Sequence, residues 1–210
     1  MESALQRLRA FDETLFLWIG AGNESSSEWT GWSVGFSSAG VGLLMLCWVS
    51  ALVIRYHLRG TRYGVARDAL VCAVLMWLAQ SLAHGLAAEL GAPRPFMLGL
   101  ADNLLGHSQR GGLPSTHAFV MAALVGWGHA VGMPAAWRAI AWAAVGMTAL
   151  GRVYAGVHFV SDVTVGAALG WCLGALTTRF AIVVHGAWSR RKGTLGPVAV
   201  GALPVRRSLK

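Results

Sequence analysis

Long apolar stretches alternate with short polar ones along this chain. Residues 32–54, 69–90, 115–132, 136–154 and 159–184 are each dominated by apolar side chains and close to the roughly 20 residues that carry a helix across a bilayer. Ahead of them, residues 3–19 set Leu5, Leu8, Phe11, Leu15 and Trp18 at helical spacing, with Arg7, Arg9, Asp12 and Glu13 between them. That pattern predicts an amphipathic helix at a membrane surface. Asn23 to Glu28 reads as a polar, Ser-rich loop, and Met133-Pro134 as a tight turn. The segment 91–114 breaks the pattern: Pro93, Pro95, Gly99, Gly106, Gly111, Gly112 and Pro114 forbid a continuous helix. Because it also carries Arg94, Asp102, His107 and Arg110, it reads as a structured loop.

The fold expected is all-α: a polytopic membrane bundle of about five transmembrane helices plus the N-terminal amphipathic helix. Its parts are residues 1–31 (amphipathic helix and polar loop), 32–185 (transmembrane domain) and 186–210 (basic tail). There is no internal repeat, which weakens a transporter reading. Gln80, His84 and Glu89 lie inside the second span and are expected to face protein rather than lipid.

Composition agrees. Of 210 residues, 55% are hydrophobic and 12% charged, against about 25% charged in soluble domains. Ten Trp and 27 Gly suit interfacial anchoring and close helix contacts. Cys47, Cys72 and Cys172 fall in apolar spans without metal-ligand spacing and read as buried, idle thiols. Residues 1–20 carry Glu2, Asp12 and Glu13 and do not read as a cleavable signal peptide.

The net charge of +8 matters through its placement. Arg55, Arg59, Arg62 and Arg67 crowd one short loop, and Arg190, Arg191, Lys192, Arg206, Arg207 and Lys210 crowd the tail. Apolar flanks make the positive-inside rule the better account of these runs than nucleic-acid binding. The tail is therefore expected in the cytoplasm, and the remaining polar clusters on the outer, periplasmic face.

Those clusters are Arg94-Pro95, Pro114-Ser115-Thr116-His117, and Arg152 with His158 and Asp162. Charged groups near hydrocarbon are costly and mark function. His158 and Asp162 are four apart and share a helix face, so Asp162 can fix the imidazole tautomer and make His158 a nucleophile. Arg94 and Arg152 offer planar forks matched to phosphate oxygens. Backbone N–H groups at Ser115 to His117 begin a helix and can cradle the same anion. His117 can protonate a departing oxygen. Each residue alone has a plainer explanation: an interior histidine, a snorkelling arginine, an interhelical carboxylate, a helix cap at Ser115. Together on one face they suit phosphoryl transfer, where catalysis is mostly positioning and charge stabilisation. No Asp-rich or His-rich cluster is visible, so no cofactor and a metal-independent reaction are expected. Haem ligation by His117 and His158 would leave the arginines, the aspartate and the serine unexplained. His84, His129 and His185 read as structural.

These motifs resemble the three signatures of the type 2 phosphatidic acid phosphatase (PAP2) superfamily, over about residues 87–170. The third, Arg152 with His158 and Asp162, is the most specific. The resemblance implies a helical bundle and a phosphohistidine intermediate. His158 would be the nucleophile, Asp162 its partner and His117 the acid, with Arg94, Ser115, Thr116 and Arg152 holding phosphate. The chain departs from the pattern at Ala87, where a Lys is frequent, at Thr116 in place of Gly, and at Gly151 in place of Ser. Arg110 or His107 would then replace the missing Lys as a phosphate contact. Pro93-Arg94-Pro95-Phe96 without that Lys, the start from Phe11 to Gly20, and His107 shortly before the second signature are similar to the bacitracin-resistance type of undecaprenyl-diphosphate phosphatase. That branch implies a polyprenyl diphosphate as substrate, the bilayer as its setting and no nucleic-acid partner. Phosphatidylglycerol phosphate, phosphatidate or lipid A would be the alternative substrates.

Overall fold

The computed structural model describes residues 4–20, 27–58 and 63–191. Among them are six α-helices and no strand: α1 (Ala4–Ile19), α2 (Ser27–Leu58), α3 (Tyr63–Leu90), α4 (Thr116–Ala130), α5 (Ala135–Tyr154) and α6 (Val160–Arg191). A single 3-10 turn, Pro95–Leu98, lies in the α3–α4 connection. The elements follow the apolar periodicity, with longer ends. α2 begins at Ser27 rather than 32, since Glu28 in its first turn complements the helix dipole. α6 continues past 185 to Arg191. Arg59, Arg62 and the tail from Lys192 lie outside the described residues, as do the loop residues 21–26.

α4 is the axis of the bundle, buried from Ala118 to Gly128. α6 lies against it through Gly166, Gly170 and Gly174, one per turn. A Cβ on Gly170 would strike the Phe119 carbonyl, and one on Gly174 the Ala123 carbonyl. Gly126 of α4 meets the backbone of α6 at Trp171 in the same way. Small residues let two helix backbones approach where lipid offers no hydrophobic drive for association. Cys172 lies two residues beyond Gly170, on the other side of α6, and is exposed rather than buried. Cys72 is buried as expected.

The same logic corrects the reading of α3. Its inward stripe is Cys72, Leu75, Ala79, Ala83 and Ala87, all buried and mostly small. That stripe takes the closest approach to the bundle and leaves Gln80, His84 and Glu89 exposed, with His84 still within electrostatic reach of His117. The stretches Val65–Leu98, which covers α3 from Val65 onward, and Val160–Trp188 in α6 are long and apolar enough to cross a membrane. Outward side chains such as Trp77, Leu176, Phe180 and Val183 are exposed accordingly.

α1 presents Leu8, Phe11 and Trp18 outward, so its apolar stripe is not spent on the protein. It docks through the opposite side, where Phe16 is fully buried with Ala101, Ala118, Val153, Phe159 and Val163. This small cluster joins α1, the 91–115 connection, α4, α5 and α6 at one end of the bundle.

Candidate functional site

That end carries the polar clusters. α5 stops in a turn set by its sequence: Gly156 adopts a left-handed conformation (φ 74°). Its N–H donates to the Val153 carbonyl (3.1 Å), and the Val157 N–H donates to the Arg152 carbonyl (3.3 Å). This is the paired bonding of a Schellman termination. A Cβ at Gly156 would also meet the Asp102 carbonyl and Ala101. The turn leaves Arg152 on the last turn of α5 and His158 just ahead of α6.

His158 is 2% exposed and Asp162 3%. The Arg94 guanidinium donates to His158 Nε2 (3.1 Å), which makes Nε2 the lone-pair nitrogen. Nδ1–H then donates to Asp162 Oδ2 (3.2 Å). The same oxygen accepts the Phe159 N–H (3.0 Å), so the carboxylate is held from two sides. Its backbone carbonyl accepts the Ser115 N–H (2.9 Å), which ties the first turn of α6 to the start of α4. Burial, and then the positive charges of Arg152 and Arg94, hold the His158 imidazole well below its ordinary protonation range. It is a neutral base with its free nitrogen toward the arginines.

Arg94 is itself clamped. Nε donates to the Arg110 carbonyl (2.9 Å), Nη1 to the Val157 carbonyl (2.8 Å) and Nη2 to the Gly111 carbonyl (3.1 Å). The 91–115 connection thus wraps the guanidinium. Gly112 permits this, because a Cβ there would lie 2.9 Å from Asp162 Oδ2 and 3.1 Å from Arg94 Cγ. Arg152 is 2% exposed, and its Nη2 bonds His107 Nε2. The His107 backbone is pinned by Asn103, whose amide donates to its carbonyl (2.8 Å) and accepts its N–H (2.9 Å). Burial first, then Arg152 and Arg94, push the His107 imidazole down to about 4.

Of the five buried side-chain polar atoms that lack a hydrogen-bond partner among the described residues, two belong to this cluster. Arg152 Nε and Ser115 Oγ are buried without a hydrogen-bond partner. Ser115 occupies the N-cap position of α4, yet its side chain makes no cap bond. Thr116 and His117 follow in the first turn, half-buried, where backbone N–H groups lack intrahelical acceptors. His117 lies within electrostatic reach of Arg152, His107 and Arg94.

His158, Asp162, Arg94, Arg152, Ser115 and His107 therefore converge. Arg110 joins through its carbonyl, and its side chain is exposed. Ala87, where a Lys was the expected residue, is buried, and Gly111 rests against its carbonyl. Sequence reasoning saw Gly111 and Gly112 only as helix breakers and passed over Asn103. The Gly-Gly pair beside basic residues was the available signal for close backbone packing.

Buried charge explains the geometry's bias. The cluster holds two guanidiniums against one carboxylate. An uncompensated buried cation is costly, so a site of this kind is complementary to an anion. The orphaned Arg152 Nε and Ser115 Oγ are donors for its oxygens.

The profile of the PAP2 superfamily matches residues 68–183, more than half of the chain. The fold is similar to that of the first transmembrane PAP2 type phosphatidylglycerolphosphate phosphatase from Bacillus subtilis. That likeness has a TM-score of 0.62 at 20% identity, over 87% of this chain and 89% of that one. It is also similar to LpxE from Aquifex aeolicus, with a TM-score of 0.59 at 23% identity, over 78% and 92% of the two chains. A search of curated proteins finds no match.

Proposed function

Since the chain belongs to the PAP2 superfamily, we propose that it is an integral membrane phosphatase that hydrolyses a lipid-linked diphosphate through a phosphohistidine. The substrate of this proposal is undecaprenyl diphosphate, cleaved to undecaprenyl phosphate and inorganic phosphate. The observation that carries the reading is the buried Arg152 with two unpartnered donors, its Nε and Ser115 Oγ, and the half-buried Arg94 against a single buried carboxylate, around a neutral histidine.

His158 Nε2 attacks the terminal phosphorus while its Nδ1–H stays on Asp162, which stabilises the developing imidazolium. A phosphorus–nitrogen bond forms as the bridging phosphorus–oxygen bond breaks. His117 gives a proton to the departing lipid monophosphate. Water, deprotonated by His117, then attacks the phosphohistidine, releasing phosphate and restoring the imidazole. Arg152, Ser115 and the first N–H groups of α4 meet the charge on the equatorial oxygens. In this role Thr116 contributes its backbone, and His107 orients Arg152 rather than touching phosphate. Arg94 keeps His158 oriented until phosphate displaces its bond to Nε2.

The clusters lie at the outer face in this reading. Five helices, α2 to α6, cross the membrane, α1 lies in the outer leaflet, and residues 186–210 are the basic cytoplasmic tail. Residues 32–185 make up the phosphatase domain. The lipid tail lies between helices with its head group in the polar site.

Phosphate release from undecaprenyl diphosphate, phosphatidate and phosphatidylglycerol phosphate by the detergent-solubilised protein tests this. Release from the polyprenyl diphosphate is expected to be fastest and to vanish in His158→Ala. Preference for a glycerolipid would keep the chemistry and overturn the substrate. An active His158→Ala enzyme would overturn the mechanism.

A further inference from the structure

The segment that carries His158 lacks a cap of its own. Phe159 stands at the N-cap of α6, Val160 and Ser161 at the first two helical positions, and Asp162 at the third. Half of a capping box is present, because Asp162 reaches back to the Phe159 N–H (3.0 Å). The other half needs an acceptor at the N-cap for the N–H groups of the first turn, and a phenylalanine side chain has none.

Asp12 supplies it from α1. Its Oδ1 accepts the Ser161 N–H (3.0 Å), and its Oδ2 accepts the Ser161 hydroxyl. A carboxylate at this place also complements the positive end of the α6 dipole. One turn further along the same face of α1, Phe16 is fully buried and meets the Phe159 ring edge-on, with centroids 5.6 Å apart. The spacing of four puts Asp12 and Phe16 on one side of α1. The two residues grip Ser161 and Phe159, which flank Val160 in the segment between His158 and Asp162.

We propose that Asp12 is a positioning residue for His158: it caps α6 in trans and so holds Asp162 at the distance and angle that keep the His158 proton on Nδ1. This deepens the phosphohistidine reading and rests on it. α1 is thereby part of the catalytic apparatus, although it contributes no group that touches substrate. A capping acceptor lost from the first turn lets that turn fray, and small displacements near reacting atoms cost rate steeply.

The test compares Asp12→Ala, Asp12→Asn, Ser161→Ala and His158→Ala in the full-length protein. Turnover of undecaprenyl diphosphate, phosphatidate and phosphatidylglycerol phosphate is measured, with 15N spectra of the histidine side chains. Asp12→Ala is expected to lower kcat by about 10²-fold with KM within about twofold, since positioning acts on the chemical step. Asp12→Asn keeps an acceptor for the N–H and is expected to retain about a third or more of kcat, as asparagine caps about as well as aspartate. Ser161→Ala loses only the hydroxyl bond, keeps the capped N–H and is expected to retain at least as much kcat as Asp12→Asn. In the 15N spectra, Asp12→Ala is expected to mix the His158 tautomers, a change that does not depend on which lipid is the substrate.

Wild-type kcat and an unchanged His158 spectrum in Asp12→Ala, with His158→Ala inactive, would overturn the positioning role alone. Equal losses in Asp12→Asn and Asp12→Ala would overturn the capping account in favour of charge. If Asp12→Ala does not fold, Asp12→Gln, whose extra methylene displaces the acceptor, takes its place: a loss of kcat with mixed His158 tautomers supports the positioning role, and wild-type kcat with an unchanged spectrum overturns it. Activity in His158→Ala would instead remove the reading beneath the proposal.

Discussion

At the scale of single residues, the site is defined by what each donor is already bonded to. Arg94 spends its donors on three carbonyls and on His158 Nε2. Arg152 keeps Nε free in a buried place and is aligned by His107. Arg152 is therefore the phosphate clamp of this reading and Arg94 the organiser. Arg152→Lys is expected to lower kcat/KM by about 10²-fold or more, because an ammonium cannot serve His107 and an equatorial oxygen with a rigid fork. Steady-state phosphate release checks it. His107 accepts a hydrogen bond from Arg152 only while neutral. Its imidazole, pushed down to about 4, lies below an unfolded histidine at about 6.5. The contact's contribution to stability is thus present above about pH 6.5 and is lost as pH falls through about 4. A 15N titration of His107 is expected to show a midpoint near 4; an ordinary midpoint would show that Arg152 does not rest on it.

At the scale of elements, helix starts and stops do most of the placement. Gly156 ends α5 so that Arg152 and His158 face each other across one turn. Ser115, freed from capping, leaves its hydroxyl at the start of α4. The glycine stripe on α6 then brings that start close: Gly166 lies against the Ser115 backbone, with a built Cβ 2.8 Å from its carbonyl oxygen. Gly170→Ala places a methyl against the Phe119 carbonyl and is expected to cost about 1–3 kcal/mol. Thermal unfolding in detergent measures this, with Cys172→Ala on the exposed side of the same helix as a near-neutral control. The elements themselves were readable from periodicity, because each apolar span is bounded by Gly, Pro or charge. The face that each turns inward was not. On α3, hydropathy argued for burying Gln80, His84 and Glu89, whereas small-residue packing exposed them.

At the scale of the molecule, charge asymmetry predicts sidedness. In a background with Cys47, Cys72 and Cys172 replaced, Ser108→Cys in the site-bearing connection is expected to react with an impermeant maleimide in intact cells. Ser208→Cys in the basic tail is expected to react only after lysis. The reverse pattern would invert the topology. Local chemistry lay open in the chain: helix-forming spans, their breakers, and the His158–Asp162 pair, whose spacing of four is a property of any helix. Motif residues far apart in sequence could be assigned to one site by resemblance and by sidedness. Tertiary structure decided the rest. It bonded Arg94 to His158 and His107 to Arg152, left Arg152 Nε and Ser115 Oγ without partners, and brought Asp12 to Ser161 across 149 positions. Such contacts depend on which faces of α1, α4, α5 and α6 close upon one another. That choice is set by backbone approach at small residues, a property of pairs of helices that no single stretch of sequence contains.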